Sequence, residues 1–214
     1  MTKIKICGIT EERDAIEAVH LGVDAIGFVF WRYSPRYISP RDAGRITAKL
    51  PPFLTKVGVF VNEAADLVMD AAYAAGLTAL QFHGDEEPEY CRRFTMSWYK
   101  AVRVGPEFDP ETLARYACTT YLLDGPAGDA RGGSGLPGDW AKASAASRYG
   151  RIILAGGLTR DNVASAIEAA RPYAVDVSSG VEVAPGKKDV DKMEALIARV
   201  RETDARLMAL EADA

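Results

Sequence analysis

Short apolar runs punctuate the chain at 3–7, 25–30, 56–61, 79–82, 99–102, 121–124, 151–154 and 175–177. Val, Ile, Leu and aromatic residues dominate them, and most are apolar without interruption rather than alternating. That is the pattern of parallel strands whose outer face is covered by helices. The segments between them carry helix-start signals. Thr10 precedes Glu11 and Glu12, a capping hydroxyl ahead of two acids that the helix dipole favours in a first turn. Ser39-Pro40 sets a cap before a proline at the first helical position, and Thr159 ahead of Asp161 reads the same way. Ala15, Ile16 and Val19 share a face of the first helix, which Gly22 ends. In the last helix, near 189–201, Met193, Leu196, Ile197 and Val200 recur at helical spacing. The charged, Ala-rich tail after Arg201 reads as helix end and fraying terminus.

Eight such strand–helix units in one short chain predict an α/β fold, a single closed (β/α)8 TIM barrel, rather than an open doubly wound sheet. No linker or composition break divides the chain, so residues 1–214 are expected to form one domain. In such a barrel chemistry sits where strands end and the following loops begin. Two connections are long, 31–37 after the second strand and 125–138 after the sixth, the latter with Gly132-Gly-Ser-Gly135. Extra residues at that end predict substrate contact or a lid.

Composition narrows the partners. A hydrophobic share of 48% with 26% charged residues is that of an ordinary soluble globular protein. A net charge of −4 gives no reason to expect nucleic acid or an anionic membrane. An acidic chain that takes an anionic ligand must gather positive potential locally. The three cysteines form no CxxC pair and predict free thiols. The N-terminus turns to glycine and charge too soon for a signal peptide, and no apolar run approaches the roughly 20 residues of a membrane span. The expectation is a cytoplasmic protein, a monomer in preference to a homodimer. With two histidines and no HxH, HExxH or CxxC spacing, no metal is expected. No Walker lysine and no GxGxxG follow the first strand, so no cofactor is expected either.

The strand ends supply the candidate chemistry. Cys7 closes the first strand beside Gly8, a place where a thiol faces the site rather than the core. Forming its thiolate requires a basic neighbour or a helix N-terminus such as the one near Thr10. Cys91 and Cys118 fall in helical segments and read as structural. Asp124 ends the sixth strand after Tyr121-Leu-Leu, either as a cap for the next turn or as a carboxyl whose partial burial raises its pKa for proton delivery. Asp176 sits inside an apolar strand, where supporting another group by hydrogen bonds is at least as fitting as substrate contact. Gly156 and Gly157 after strand seven, and Ser178, Ser179 and Gly180 after strand eight, occupy the loops that hold phosphate in many barrels. Arg36, in Ser-Pro-Arg-Tyr on the stiff second loop, suits a planar carboxylate. His83 ends strand four as a base, a neutral donor or a loop-orienting residue. No strand-end lysine offers a Schiff base: Lys100 lies inside strand five, and Lys187 and Lys188 follow a Pro-Gly turn.

These residues fall into blocks that resemble one family. Lys5-Ile-Cys-Gly-Ile-Thr10 is similar to the opening signature of phosphoribosylanthranilate isomerases. The likeness runs on through Ser34-Pro-Arg36, Val57–Asn62, Leu80-Gln-Phe-His-Gly84, Leu123-Asp124, Gly132–Gly135 with Asp139-Trp140, Ala155-Gly-Gly-Leu158 and Asp176–Glu182. The chain departs from it at Phe82, at Ser134 and in the lid segment 136–138, which lacks the usual aromatic. The resemblance implies an Amadori rearrangement of a phosphorylated aminoaldose, a small-molecule substrate of tryptophan biosynthesis, without a cofactor. It implies Cys7 as general base, Asp124 as general acid, Arg36 on the anthranilate carboxylate, and the last two loops on the phosphate. Three other readings are weaker. The histidine-pathway aminoaldose isomerase looks built on two carboxylates, with an acid where Cys7 stands. Indole-3-glycerol phosphate synthase would require strand-end lysines. A non-catalytic phosphosugar-binding barrel would bind without turnover.

Overall fold

The computed structural model describes residues 1–125, 127–128, 132–133 and 137–213. Eight parallel strands close into a barrel: β1 (Lys3–Cys7), β2 (Ala25–Val29), β3 (Thr55–Phe60), β4 (Ala79–Phe82), β5 (Trp98–Arg103), β6 (Thr120–Asp124), β7 (Arg151–Ala155) and β8 (Ala174–Val177). Each strand pairs with the next, and β8 closes on β1 from Lys3↔Ala174 to Ile6↔Val177. The boundaries lie within a residue of those predicted, because uninterrupted apolar runs leave little latitude in where a buried strand begins.

Among the described residues seven α-helices cover the barrel: α1 (Glu12–His20), α2 (Pro40–Thr47), α3 (Ala65–Ala74), α4 (Pro88–Cys91), α5 (Pro137–Ala146), α6 (Val163–Ala170) and α7 (Val190–Ala212). A 3-10 turn, Pro110–Tyr116, takes the place of a helix after β5. Ser39 caps α2 as predicted, its hydroxyl accepting from the Asp42 amide at 3.1 Å. The other two caps differ. Thr10 turns its hydroxyl to the Gly186 carbonyl at 2.5 Å, and Glu11 opens α1 without a side-chain cap. Thr159 forms a turn in which Asn162 Oδ1 accepts from its amide, and α6 begins only at Val163. The tail after Arg201 does not fray: α7 continues to Ala212. Buried Asp204 there accepts both the amide and the hydroxyl of Thr2 at 2.7 Å, tying the last helix to the first strand. Cys118 lies outside the helical segments, because Ala117 adopts a left-handed conformation (φ 51°) that ends the turn before it.

Strand parity decides what faces the barrel interior. On β1, Ile4 and Ile6 point outward and are fully buried beneath the helices with Leu196 and Val200, each such side chain contributing about 1.5–3 kcal/mol. Lys5 and Cys7 therefore share the inner face. Val57, Ala79, Tyr99, Ala101, Leu122, Ile153 and Ala174 form a small apolar plug inside the barrel. Two residues further along the same faces come Gln81 after Ala79, Asp124 after Leu122, and Asp176 after Ala174. The interior thus changes from apolar to polar toward the strand C-termini.

Of the two long loops, the first is described throughout and the second in part. Residues 31–37 fold as consecutive turns, Ser34 N donating to Trp31 O and Tyr37 N to Ser34 O. After β6, Ala127–Gly128 pairs with Gly132–Gly133. Ser134, Gly135 and Leu136 of the expected lid lie outside the described residues. No helix among the described residues is long and apolar enough to cross a membrane.

Candidate active site

Cys7 is buried at the end of β1, its thiol in no disulfide. Beside it stands Lys5, whose Nζ donates to Asp176 Oδ2 at 2.8 Å and to Gln81 Oε1 at 3.0 Å. The thiol and the ammonium both lie against Gly27 of β2, where an added Cβ would meet Cys7 Sγ at 2.7 Å and Lys5 Nζ at 3.2 Å. Burial pushes the thiol's pKa up, and Lys5 pulls it back. Burial is the strongest single influence on Lys5 and opposes its charge, but Asp176, Cys7 and Tyr99 together outweigh it, so the ammonium is held protonated with a raised pKa. The basic neighbour required for a thiolate is therefore Lys5, not a helix N-terminus near Thr10. Asp176 is buried, paired through Oδ2, and its Oδ1 has no hydrogen-bond partner among the described residues.

Arg36 reaches the same end from the second loop. Its stem crosses Gly8, where a Cβ would meet Arg36 Cδ at 2.6 Å. Its guanidinium is held by Glu182, Nε to Oε1 at 2.9 Å and Nη2 to Oε2 at 2.6 Å. Glu182 belongs to a hairpin, Glu182–Ala184 with Lys187–Lys188, that returns beneath the loop after β8. Lys188 is completely buried there and donates to Glu182 Oε1 at 2.7 Å and to the Cys7 carbonyl at 2.6 Å. Burial alone would raise the Glu182 pKa, but hydrogen bonds from Arg36 and Lys188 bring it below the ordinary carboxylate range. Three cations thus gather around Cys7 in a chain of net charge −4, the local positive potential that an anionic ligand requires.

Asp124 and His83 meet at the ends of β6 and β4, Asp124 Oδ2 lying 3.3 Å from His83 Nε2, each about one-third exposed or less. Gln81 Nε2 lies 2.8 Å from His83 Nδ1. A Cβ on Gly156 would sit 3.0 Å from Asp124 Oδ1, which places the other carboxyl oxygen beside the loop after β7. Asn162 pins that loop through Nδ2 to the Gly157 carbonyl at 3.0 Å. Gly180 packs directly on the Leu158 carbonyl, so Gly156, Gly157, Ser179 and Gly180 form adjoining backbone. Ser178 donates its hydroxyl to the Cys7 carbonyl at 3.1 Å and so braces β1.

The structure therefore gathers every predicted site residue at one end of the barrel. It adds four that sequence reasoning passed over: Lys5, Gln81, Glu182 and Lys188. Parity could have found two of them, since Lys5 shares a face with Cys7 and Gln81 with His83. Lys188 and Glu182 depend on a chain reversal that carries no signal beyond Pro185-Gly186. A separate cavity of about 360 Å³, lined by Phe30, Tyr37, Phe60 and Leu67 among others, holds none of the candidate residues.

Known proteins share this fold and much of this sequence. The family described as N-(5'phosphoribosyl)anthranilate (PRA) isomerase matches residues 4–199. The N-(5'-phosphoribosyl)anthranilate isomerase of Citrifermentans bemidjiense is 50% identical over 201 residues, covering 94% of this chain and 98% of its own. The crystal structure of phosphoribosyl anthranilate isomerase from Thermotoga maritima superposes with a TM-score of 0.89 at 44% identity, covering 94% of this chain and 100% of that one. A phosphoribosyl anthranilate isomerase in complex with reduced 1-(o-carboxyphenylamino)-1-deoxyribulose 5-phosphate superposes with a TM-score of 0.85 at 43% identity, with the same coverage.

Proposed function

Because the chain belongs to the N-(5'-phosphoribosyl)anthranilate isomerase family, an isomerase family of tryptophan biosynthesis, we propose that it catalyses an Amadori rearrangement by general acid–base chemistry, with Asp124 as acid and Cys7 as base. The observation that carries this reading is the pairing of one thiol and one carboxyl on separate inward-facing strand ends, each with its own supporting polar partners.

Asp124 protonates the furanose ring oxygen, the C1'–O bond breaks, and the anthranilate nitrogen pushes its lone pair in to form a protonated Schiff base. The Cys7 thiolate then removes the C2' proton, and the electron pair moves to the nitrogen, giving an enolamine. The enol proton leaves as C1' gains one, yielding the ketone. Because the substrate's own nitrogen accepts the electrons, the step calls on no cofactor. Burial disfavours the thiolate, and the cations that offset it are Lys5, Lys188 on the Cys7 carbonyl, and the iminium itself. Arg36 binds the anthranilate carboxylate through the guanidinium edge not engaged by Glu182. The adjoining backbone of Gly156, Gly157, Ser179 and Gly180 binds the phosphate, with Ser178 behind it. Asp176 Oδ1, unpartnered beside Lys5, accepts a ribose hydroxyl.

The direct test is turnover of freshly generated phosphoribosylanthranilate, followed as loss of anthranilate fluorescence. Positioned proton-transfer groups contribute about 10²–10⁴-fold each, so Cys7→Ser and Asp124→Asn should each lower kcat by at least about 100-fold while phosphate binding persists. A Cys7→Ser enzyme with near-normal kcat would remove Cys7 from the mechanism.

A further inference from the structure

An unbroken chain of polar contacts runs through the barrel from Lys5, beside the base, to the acid. Lys5 Nζ lies 3.0 Å from Gln81 Oε1, the Tyr99 hydroxyl is 2.9 Å from the same oxygen, Gln81 Nε2 is 2.8 Å from His83 Nδ1, and His83 Nε2 is 3.3 Å from Asp124 Oδ2. Donor and acceptor roles along this chain are determined from one end. An ammonium can only donate, so the Gln81 atom facing Lys5 is its oxygen, and the Tyr99 hydroxyl donates to that oxygen as well. The amide nitrogen must then face His83 Nδ1. An amide N–H₂ can only donate, so Nδ1 presents its lone pair, and a neutral His83 carries its proton on Nε2. That proton points at Asp124 Oδ2.

We infer that Gln81 is a positioning residue which, through the tautomer it imposes on His83, places the transferable proton of Asp124 on Oδ1. With Oδ2 occupied as acceptor for the His83 N–H, a protonated Asp124 carries its own hydrogen on Oδ1, the oxygen beside Gly156 and the loop after β7. The proton thus faces the loops that receive the sugar phosphate rather than the barrel wall. Once it has left, the same N–H stabilises the carboxylate. The arrangement also removes His83 as an alternative base, since its Nδ1 lone pair is occupied by Gln81 and its Nε2 is protonated. The inference rests on the reading of Asp124 as acid, but its first link, the tautomer, is independent of that reading.

The chain holds only two histidines, His20 and His83, so ¹⁵N-histidine labelling gives two ring spin systems and His20→Gln assigns them. In substrate-free wild type at about pH 8, His83 should show Nε2 protonated and Nδ1 bare. The Nδ1–H tautomer there would overturn the inference. Gln81→Glu keeps an acceptor for Lys5 and Tyr99 but turns a second oxygen toward Nδ1, so His83 should become protonated at Nδ1. The kcat should fall about 10- to 100-fold, the effect of misplacing a catalytic group, with KM within about 2-fold. In an Asp124→Asn background Gln81→Glu should lower kcat no further, because its action runs through Asp124. An additive loss would mark Gln81 as merely structural. Near-normal activity of Asp124→Asn alone would instead refute the acid assignment and leave the tautomer result standing.

Discussion

Replacing Glu182 by Gln removes one negative charge from a network that holds two cations. In the wild type, Glu182 accepts Arg36 Nε and Nη2, the Gly186 amide at 3.2 Å and Lys188 Nζ. Arg36 can swing toward water, since its side chain is 23% exposed, but Lys188 cannot, at 0%. Its remaining acceptors are the Cys7 carbonyl and, at 3.4 Å, the Ser178 carbonyl, dipoles rather than a counter-ion. Removing one partner of a buried pair typically costs about 3–5 kcal/mol. An upper bound of similar size comes from Lys188 itself. Shedding the proton of a lysine of ordinary pKa near 10.4 at pH 7 costs about 4.6 kcal/mol, and the protein can always escape that way. Urea unfolding should therefore show Glu182→Gln less stable by about 3–4.5 kcal/mol, a fall in Tm of roughly 6–18 °C for a chain this size. The pH dependence has a defined sign. The folded Glu182 pKa is depressed, so its stabilisation is fully present above the unfolded value near 4.3 and is lost as pH falls through the folded one. The gap between wild type and variant should stay constant from about pH 5 to 7 and close below about pH 4. A loss under about 1 kcal/mol at pH 7 would show that Lys188 does not depend on Glu182, and the reasoning would fail.

Two further outcomes probe neighbouring parts of the site. Arg36→Ala should weaken binding of an anthranilate-bearing competitor by about 1.5–3 kcal/mol, the value of a hydrogen bond to a charged group, while competition by ribose phosphate changes little; equal weakening of both would remove Arg36 from the carboxylate. Gly27→Ala puts a methyl 2.7 Å from Cys7 Sγ, so kcat should fall about 100-fold with a stability loss of about 1–3 kcal/mol from overpacking, and unchanged kcat would show the thiol has room to move without consequence.

The barrel was legible because burial on both faces writes each strand as an unbroken apolar run, and the eight runs alternate with helix-start signals. Caps were less legible. Ser39 behaves as its sequence suggests, but the Thr10 hydroxyl finds a tertiary acceptor in Gly186, and no local pattern announces that competition. The same holds for the last helix, whose length follows from the Asp204–Thr2 contact across 202 positions. At the site, Cys7, Asp124 and His83 could be located because a closed barrel puts its chemistry at known strand ends. Their partners could not be read as directly. Lys5 looks like one of two lysines flanking isoleucines at a strand start, and only the inward parity of Cys7 turns it into an interior cation. Lys188 looks like the exposed end of a Pro-Gly turn, yet its side chain is fully buried near the thiol.

Satisfaction of hydrogen bonds separates the charges that build the fold from those that await a ligand. Lys100 and Glu86 form a buried pair at 3.0 Å on the helix side of the barrel. The ammonium also reaches the carbonyls of Phe82, Gly84 and Ala101, and Glu86 receives the amides of Asn62 and Gly84. That network fixes the loop carrying His83 and is complete in itself. The Lys5–Asp176 pair is buried to a similar degree but is incomplete, since Asp176 Oδ1 has no partner among the described residues. An unsatisfied buried polar atom costs about 1–3 kcal/mol, and apolar replacements of buried ion pairs are often neutral or stabilising. A barrel selected for stability alone would have extended its apolar plug of Val57, Leu122 and Ile153 through this layer. The polar layer stands instead where thiol, carboxyl and cations converge, and the open acceptor on Asp176 is the position a substrate hydroxyl would fill.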